Sequence, residues 1–433
     1  MKKTFFLLAV VSLTLSFASC KKKCSHPNCT CGDSCLGDSC QCGEKTNDTI
    51  TETKKSVKTA NLYLDNSQSM KGYTEDMTYI NVITQLWQAY PDTKVLKCAD
   101  RYTAIDEKEG SVVDQLRRLA YSSSSLLQND LKQIISKINE DNIAFYVTDG
   151  ILSGEANKID PRRGGDPRWT IKNAASLKIQ IQNIFKGAKE KGIGISIYQF
   201  NSNFRGRYYC YNNTDNVNIN CQRYFYVFAI GKPHALLNFK ENFVGQEFFL
   251  PKNQMHLIDP MPLKSNIYSS DAQEGNFSKK RLRQKENNKD MIEINVKADP
   301  FINNFADNDN KEKTTEIFKS IAEKFIVTVN GNKIEEPGFK VTYDENSNIF
   351  KFLLKPRPDN HQMVVSVSAP YELPAWVKLS NFFDENDGDR YMMRNNERDN
   401  KTFMLLHLID GIKQGLLGNG ENIFEAQTTF FEN

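Results

Sequence analysis

Histidine is scarce: the 433-residue chain has five, and none stands in a recognisable catalytic motif. That weighs against enzymes built on imidazole as a general base. Past the first twenty residues, no run is apolar enough to span a bilayer. An excess of one charge is missing as well. The formal net charge is +3 and the basic residues are scattered, so nothing calls for nucleic acid as a partner.

What is present begins with "MKKTFFLLAVVSLTLSFASC", in which Lys2 and Lys3 precede an apolar run that ends in small residues at Cys20. That is the layout of an export signal, short for a membrane span. Its ending resembles the lipobox of bacterial lipoproteins, with Phe17 where the pattern usually has Leu. The resemblance implies that residues 1–19 are removed and that Cys20 is lipidated. The protein would then be held at the Gram-negative cell envelope, at the outer membrane, by lipid alone. The alternative is an ordinary cleaved signal with an incidental cysteine.

Residues 20–56 form no core, because large apolar side chains are nearly absent. Six cysteines follow Cys20 in close order: Cys24, Cys29, Cys31, Cys35, Cys40 and Cys42. The stretch resembles metallothionein-type thiolate clusters, which suit Zn2+ or Cu+, with His26 as a further donor. Three disulfides in an oxidising compartment and a plain spacer remain open beside it. On any of the three, the segment and the polar run from Glu44 to Ser56 serve as a tether.

From Val57 to Val244 the chain alternates strands and helices. "VKTANLYLD", "TKVLKCAD", "IAFYVTDG", "IGISIYQFN" and "RYFYVFAIG" read as strands, and "YINVITQLWQAY", "SLLQNDLKQIISKINEDN" and "SLKIQIQNIFKGAKEKG" as amphipathic helices. This rhythm predicts an α/β domain with a doubly wound, mostly parallel sheet covered on both faces. Ligands of such sheets sit at the carboxyl ends of the strands. In "NLYLDNSQSMKGY" the first strand ends by presenting Asp65, Ser67 and Ser69 at every second position, and Asp149 leaves the same edge in "YVTDG". All four are oxygen donors, which selects a hard cation, Mg2+, Mn2+ or Ca2+.

"DNSQSMKG" resembles the D-x-S-x-S metal-ion-dependent adhesion site of von Willebrand factor A domains, and "FYVTDG" resembles the later strand that carries that family's second Asp. The resemblance covers Val57 to Val244. The family also has a Thr between them; here the serine run Ser122 to Ser125 stands in that region, and Ser125 is the expected replacement. The resemblance implies that the hydroxyls bind the cation directly while the acids act partly through water. It further implies that the cation accepts a Glu or Asp of a protein or peptide partner as its last ligand. The expected role is binding rather than catalysis, with His234 at a helix start. Capping of the following helix by Asp65 and Ser67 is the plainer alternative. A tail-based metal-handling protein and a divalent-metal-dependent hydrolase are the other readings of the whole chain.

The Gly- and Pro-rich loop after Asp149 carries Arg162, Arg163, Arg168 and Trp169, which suit an acidic ligand or else sit in a solvated insertion. Cys210 and Cys221 flank a polar excursion and are expected to form a disulfide; Cys98 is expected to be buried. Residues 245–433 read as a second, β-rich and sandwich-like domain closed by the helix "DNKTFMLLHLIDGIKQGLLG". Its "DENDGD" at Asp384 to Asp389 reads as a solvated turn rather than a calcium loop.

Overall fold

Ala60, Leu62, Tyr63 and Leu64 are all withdrawn from solvent, as a strand held between two helical layers must be. They belong to β1 (Thr59–Asp65), flanked in parallel by β2 (Lys94–Cys98) and by β4 (Asn142–Thr148). The computed structural model describes residues 57–258, except 91, 99–102, 105–111, 119–120, 122–125 and 211–215. Beyond them it describes 266–267, 272–274, 277–283, 290–298, 311–335, 338–355, 362–386, 400–418 and 422–431. The signal segment, Cys20 and the tail cysteines Cys24, Cys29, Cys31, Cys35, Cys40 and Cys42 lie outside the described residues.

Past β4 the strand direction changes. β6 (Asn216–Gly231) runs antiparallel to β4, β5 (Gly194–Tyr209) antiparallel to β6, and β7 (Asn253–Leu257) antiparallel to β5. The two-residue β3 (Thr103–Ala104) lies antiparallel to β2 at the other edge. Among the described residues the sheet is seven-stranded, in the order β3-β2-β1-β4-β6-β5-β7. The α/β class stands, but the mostly parallel sheet is corrected to a mixed one. The cause is the β5–β6 connection, a hairpin, which can only return antiparallel; parallel neighbours need a long crossover.

Helices cover both faces. α1 (Met77–Gln88) and α7 (Pro233–Phe243) bring Val82, Ile83, Leu86, Leu236 and Phe239 against Leu62, Leu64, Phe145 and Val147. α3 (Leu127–Ser136) and α6 (Ala174–Glu190) pack Leu131, Ile134, Leu177 and Ile181 against Tyr63, Tyr146 and Ile195. Shorter helices are α2 (Val112–Arg118), α4 (Ala156–Ile159) and α5 (Trp169–Lys172).

β5 and β6 have sixteen residues each, against seven in β4. Thr148, the last residue of β4, pairs with Tyr226, which pairs with Gln199. Residues 200–209 and 216–225 therefore continue as a two-stranded arm beyond the carboxyl ends of β1 and β4. The arm lies on the 3-10 turn Gln68–Tyr73. A Cβ on Gly72 would come within 2.2 Å of the Phe204 ring, and one on Gly206 within 2.9 Å of the Gly72 Cα, so both positions need glycine for the approach. Asp76, which caps α1 through the Thr78 amide, also accepts from the Ser202 hydroxyl and the Asn203 amide.

Among the described residues beyond 257, two five-stranded sheets share one apolar core. Ile292 and Ile294 on Asp290–Lys297 and Phe350 and Phe352 on Ile349–Leu354 come from one sheet, and Val327, Val365 and Val367 from the other. α8 (Lys311–Ala322) lends Phe318, whose ring meets Phe350 edge-on. α9 (Ala375–Leu379) and α10 (Leu405–Leu417) follow. Past the boundary expected at 244/245, β7 completes the large sheet and α10 packs directly on α6. Added Cβ atoms on Gly411 and Gly415 would meet the α6 backbone oxygens of Lys178 and Gln182 at 2.9 and 2.5 Å. Lys178 and Asp410 pair across this contact. Among the described residues no helix is long and apolar enough to cross a membrane.

Candidate functional site

β1 ends at Asp65, and its carboxylate folds back to accept from the Ser67 amide at 2.8 Å, the local turn an Asp favours on leaving a strand. The turn sends the Ser67 and Ser69 hydroxyls the same way, and their oxygens lie 2.9 Å apart. The neighbouring strand, β4, delivers the partners. Thr148 donates its hydroxyl to the second oxygen of Asp65 at 2.8 Å and takes the Gly150 amide at 3.1 Å. Asp149 accepts from the Ile151 amide at 3.1 Å and from Ser69. Gly150 has φ +72°, and a Cβ there would lie 2.8 Å from the Tyr226 ring. The Asp-Gly turn therefore has both a conformational and a steric cause.

Four of the five expected ligands thus converge: Asp65, Ser67, Ser69 and Asp149 form one hydrogen-bonded group. The fifth, Ser125, lies outside the described residues. Asp65 and Asp149 are only 5% and 4% exposed, which is unusual for carboxylates without compensation. Burial pushes the Asp65 carboxyl up to about 7, and the nearby charges of Asp149 and Asp130 add to the rise. Burial also raises Asp149, while the bonds from Ser69 and Ile151 and the charge of Arg223 pull it back. Asp130, on α3, is itself buried and accepts from the Tyr146 hydroxyl at 2.9 Å.

The arm supplies the group's cation. Arg223 is 1% exposed. Its guanidinium stacks over the Tyr208 ring at 4.4 Å, lies 6.0 Å from the Phe204 ring, and donates to the Tyr73 hydroxyl. Tyr73 in turn donates to the Tyr224 carbonyl at 2.8 Å.

A buried layer lies behind the Asp149–Gly150 turn. Tyr226 shares a hydrogen bond with Thr402 at 2.9 Å, and Gln199 donates to both Tyr226 and Ser380. Thr402 and Ser380 belong to the part of the chain in which the sequence offered no chemistry.

The loop after Asp149 is folded, not an open insertion. Arg162 forks onto Asp160 with two bonds of 3.0 Å, and Arg163 reaches the same carboxylate at 3.9 Å. Arg168 donates to the Glu385 carbonyl at 3.4 Å. Trp169 starts α5, lies against Gly154 and takes Lys158 over its ring at 5.0 Å. The Arg162 and Arg163 side chains stay 81% and 66% exposed while they hold Asp160. Cys210 and Cys221 carry thiols in this structure, not the expected disulfide. The hairpin register sets Cys221 across from Phe204, whereas Cys210 follows Tyr209 at the far end of the arm. Cys98 is buried, as expected. His234 lies in the first turn of α7, within 2.9 Å of the Glu140 carbonyl. Asp384 turns its chain by accepting from the Asn386 amide; residues 387–389 of "DENDGD" lie outside the described residues.

Sequence reasoning passed over Thr148, Arg223 and Asp130. Thr148 stood within the quoted "YVTDG". Arg223 heads the otherwise apolar run "RYFYVFAIG", and a charge entering a buried strand implies an internal partner. Asp130 sits among Leu127, Leu131 and Ile134, so the apolar stripe masked it.

Among the described residues no three His, Cys, Asp or Glu side chains gather at one point; the donors here are two carboxylates and two hydroxyls. That set matches the preference of a hard divalent ion for oxygen. It also matches the repulsion between two buried acids, which a further positive charge would offset. No protein-family model, no curated protein and no solved structure matches this chain.

Proposed function

We propose that this chain is a tethered binding module in which Asp65, Ser67, Ser69 and Asp149 hold a divalent cation that captures a Glu or Asp of a protein or peptide partner. The observation that carries the reading is the continuous hydrogen-bonded group running from Ser67 through Ser69 to Asp149, with Asp65 beside it. Two strand ends more than eighty residues apart in sequence meet there. Mg2+ is the first choice of ion, with Mn2+ and Ca2+ as substitutes. Capping alone accounts for one acid and one serine, not for this convergence.

The residues divide the work by chemistry. The Ser67 and Ser69 hydroxyls are neutral donors, and they leave a bound ion much of its charge. Both Asp65 oxygens already accept bonds from Ser67 and Thr148, which suits an acid acting through water. Thr148 fixes the Asp65 carboxylate, and the Ile151 amide fixes that of Asp149. A bound cation supplies an electrophilic point for an incoming carboxylate. The lipid at Cys20 and the segment to residue 56 would hold this module at the envelope.

The test uses the full chain. Calorimetric titration with Mg2+ is expected to show one site that Asp65→Ala removes. Capture from the same envelope is expected to retain a partner in Mg2+ and release it in EDTA. Capture that survives both EDTA and Asp65→Ala would end the reading.

A further inference from the structure

The D-x-S-x-S resemblance has no counterpart for the arm or for its arginine. Arg223 lies on the overhanging part of β6, three residues before Tyr226, which pairs with the last residue of β4. Its guanidinium is fixed from several sides: Tyr208 under its face, Phe204 at the edge, and the Tyr73 oxygen as acceptor. Tyr73 ends the turn that carries Ser69, so one bond joins the arm's cation to the hydroxyl-bearing loop. The glycines at 72 and 206 let the arm come this close. At 1% exposure, Arg223 has no surface left to touch a partner. It can act on a ligand only through its field, and a fixed buried charge acts over longer range than an exposed one.

We propose that Arg223 is a positioning residue that sets the sign of the centre, weakening its hold on the cation and strengthening the loaded centre's hold on a carboxylate. The inference rests on the cation reading above. Asp65 and Asp149 draw a divalent ion in; the fixed positive charge of Arg223, whose field reaches Asp149, repels it and so lowers its affinity. The same charge adds to the ion's own once it is bound, and an anion arriving there meets a more positive centre. The two affinities therefore move in opposite directions when Arg223 is neutralised. A purely structural arginine would move them together, because a loosened arm would harm both.

The experiment measures Mg2+ binding by calorimetry, and then acetate binding to the Mg2+-saturated full chain, for the wild type, Arg223→Gln and Arg223→Lys. Arg223→Gln is expected to raise Mg2+ affinity about tenfold and to lower acetate affinity about tenfold. Arg223→Lys loses the stacked plane but retains the unit charge, and is expected to keep both within about twofold of wild type. Loss of both affinities together in Arg223→Gln overturns the inference, as does equal behaviour of Gln and Lys. If Arg223→Gln does not fold, Arg223→Met takes its place, since it fills the gap beside Tyr208 without burying an unpaired amide. Failure of both neutral variants while Arg223→Lys folds also counts against the inference, because the charge then serves the fold. A wild type that binds no Mg2+ sinks the cation reading itself, an outcome distinct from all of these.

Discussion

The two halves of the large sheet do different work at the same rim. The parallel half, β2-β1-β4, supplies the hydrogen-bonded oxygens of the Asp65–Asp149 group from the ends of β1 and β4. The antiparallel half, β6-β5-β7, overruns the rim and supplies a roof, a buried guanidinium and the contact to Thr402. Parallel strands stop where their helices begin, so their ends are natural places for ligand atoms. A hairpin has no such stop and extends as far as its alternation of inward and outward side chains lasts. The donors and the field that tunes them therefore come from opposite strand geometries, and substitutions in the two halves should fail in different ways.

The largest separation is expected from Asp149→Ala. It removes the acceptor at the end of the serine chain, and Mg2+ affinity should fall at least about a hundredfold, roughly 3 kcal/mol. Yet the ion-free protein should melt no lower at neutral pH, since one of two repelling buried carboxylates is gone. A clear drop in the ion-free melting temperature would make Asp149 a structural acid and erase the contrast. Gly72→Ala is the reciprocal case on the roof. Its methyl would overlap the Phe204 ring, and urea denaturation should show a loss of about 1–3 kcal/mol, with partial recovery when Phe204→Leu is added. Full stability of Gly72→Ala would mean that the arm does not rest on the turn.

The donor half also predicts a pH dependence. The Asp65 carboxyl titrates near 3.8 when free and near 7 when folded. Below about pH 4 both states hold the proton and the contribution is fully present. As pH rises to about 7 the unfolded chain has released a proton that the folded chain keeps, so stability in EDTA falls across that window. Mg2+ should offset the fall, and the gap between urea midpoints with and without the ion should widen as pH rises. Midpoints in EDTA that stay flat from pH 4 to 7 would refute the buried charge pair.

The parallel half was legible because each strand there is a compact apolar run followed at once by its acid. Leu62, Leu64 and Asp65, or Phe145, Val147 and Asp149, read as strand and rim without any knowledge of neighbours. The arm was not, although its signal exists. Ser202, Phe204, Gly206 and Tyr208 face inward while Asn203, Arg205 and Arg207 face out, a period of two. Polar residues on both sides of the tip diluted that alternation until it resembled a loop, and the expected disulfide followed from the same error. The strand direction past β4 depended on whether a helix or a turn joins β5 to β6. Ser380 and Thr402 carried no motif at all, because their roles arise only from the strands they lie against.

That last pair gives the smallest expected effect and links the rim to the C-terminal part of the chain. Tyr226 lies in the antiparallel half, but its hydroxyl meets Thr402 at 2.9 Å and Gln199 at 3.2 Å, all of them buried. Its ring also bears on Gly150, beside the donor Asp149. Tyr226→Phe keeps the ring, so the Gly150 turn retains its support, and loses only the hydroxyl. Stability should drop by about 1 kcal/mol, the range for one buried hydrogen bond that leaves polar neighbours behind. Thr402→Val in addition should cost less than the sum of the two single changes, because they share that bond. Mg2+ affinity should stay within about twofold. If Tyr226→Phe instead cuts Mg2+ binding as Asp149→Ala does, the hydroxyl layer is part of the donor group, and the division between the two halves of the sheet fails.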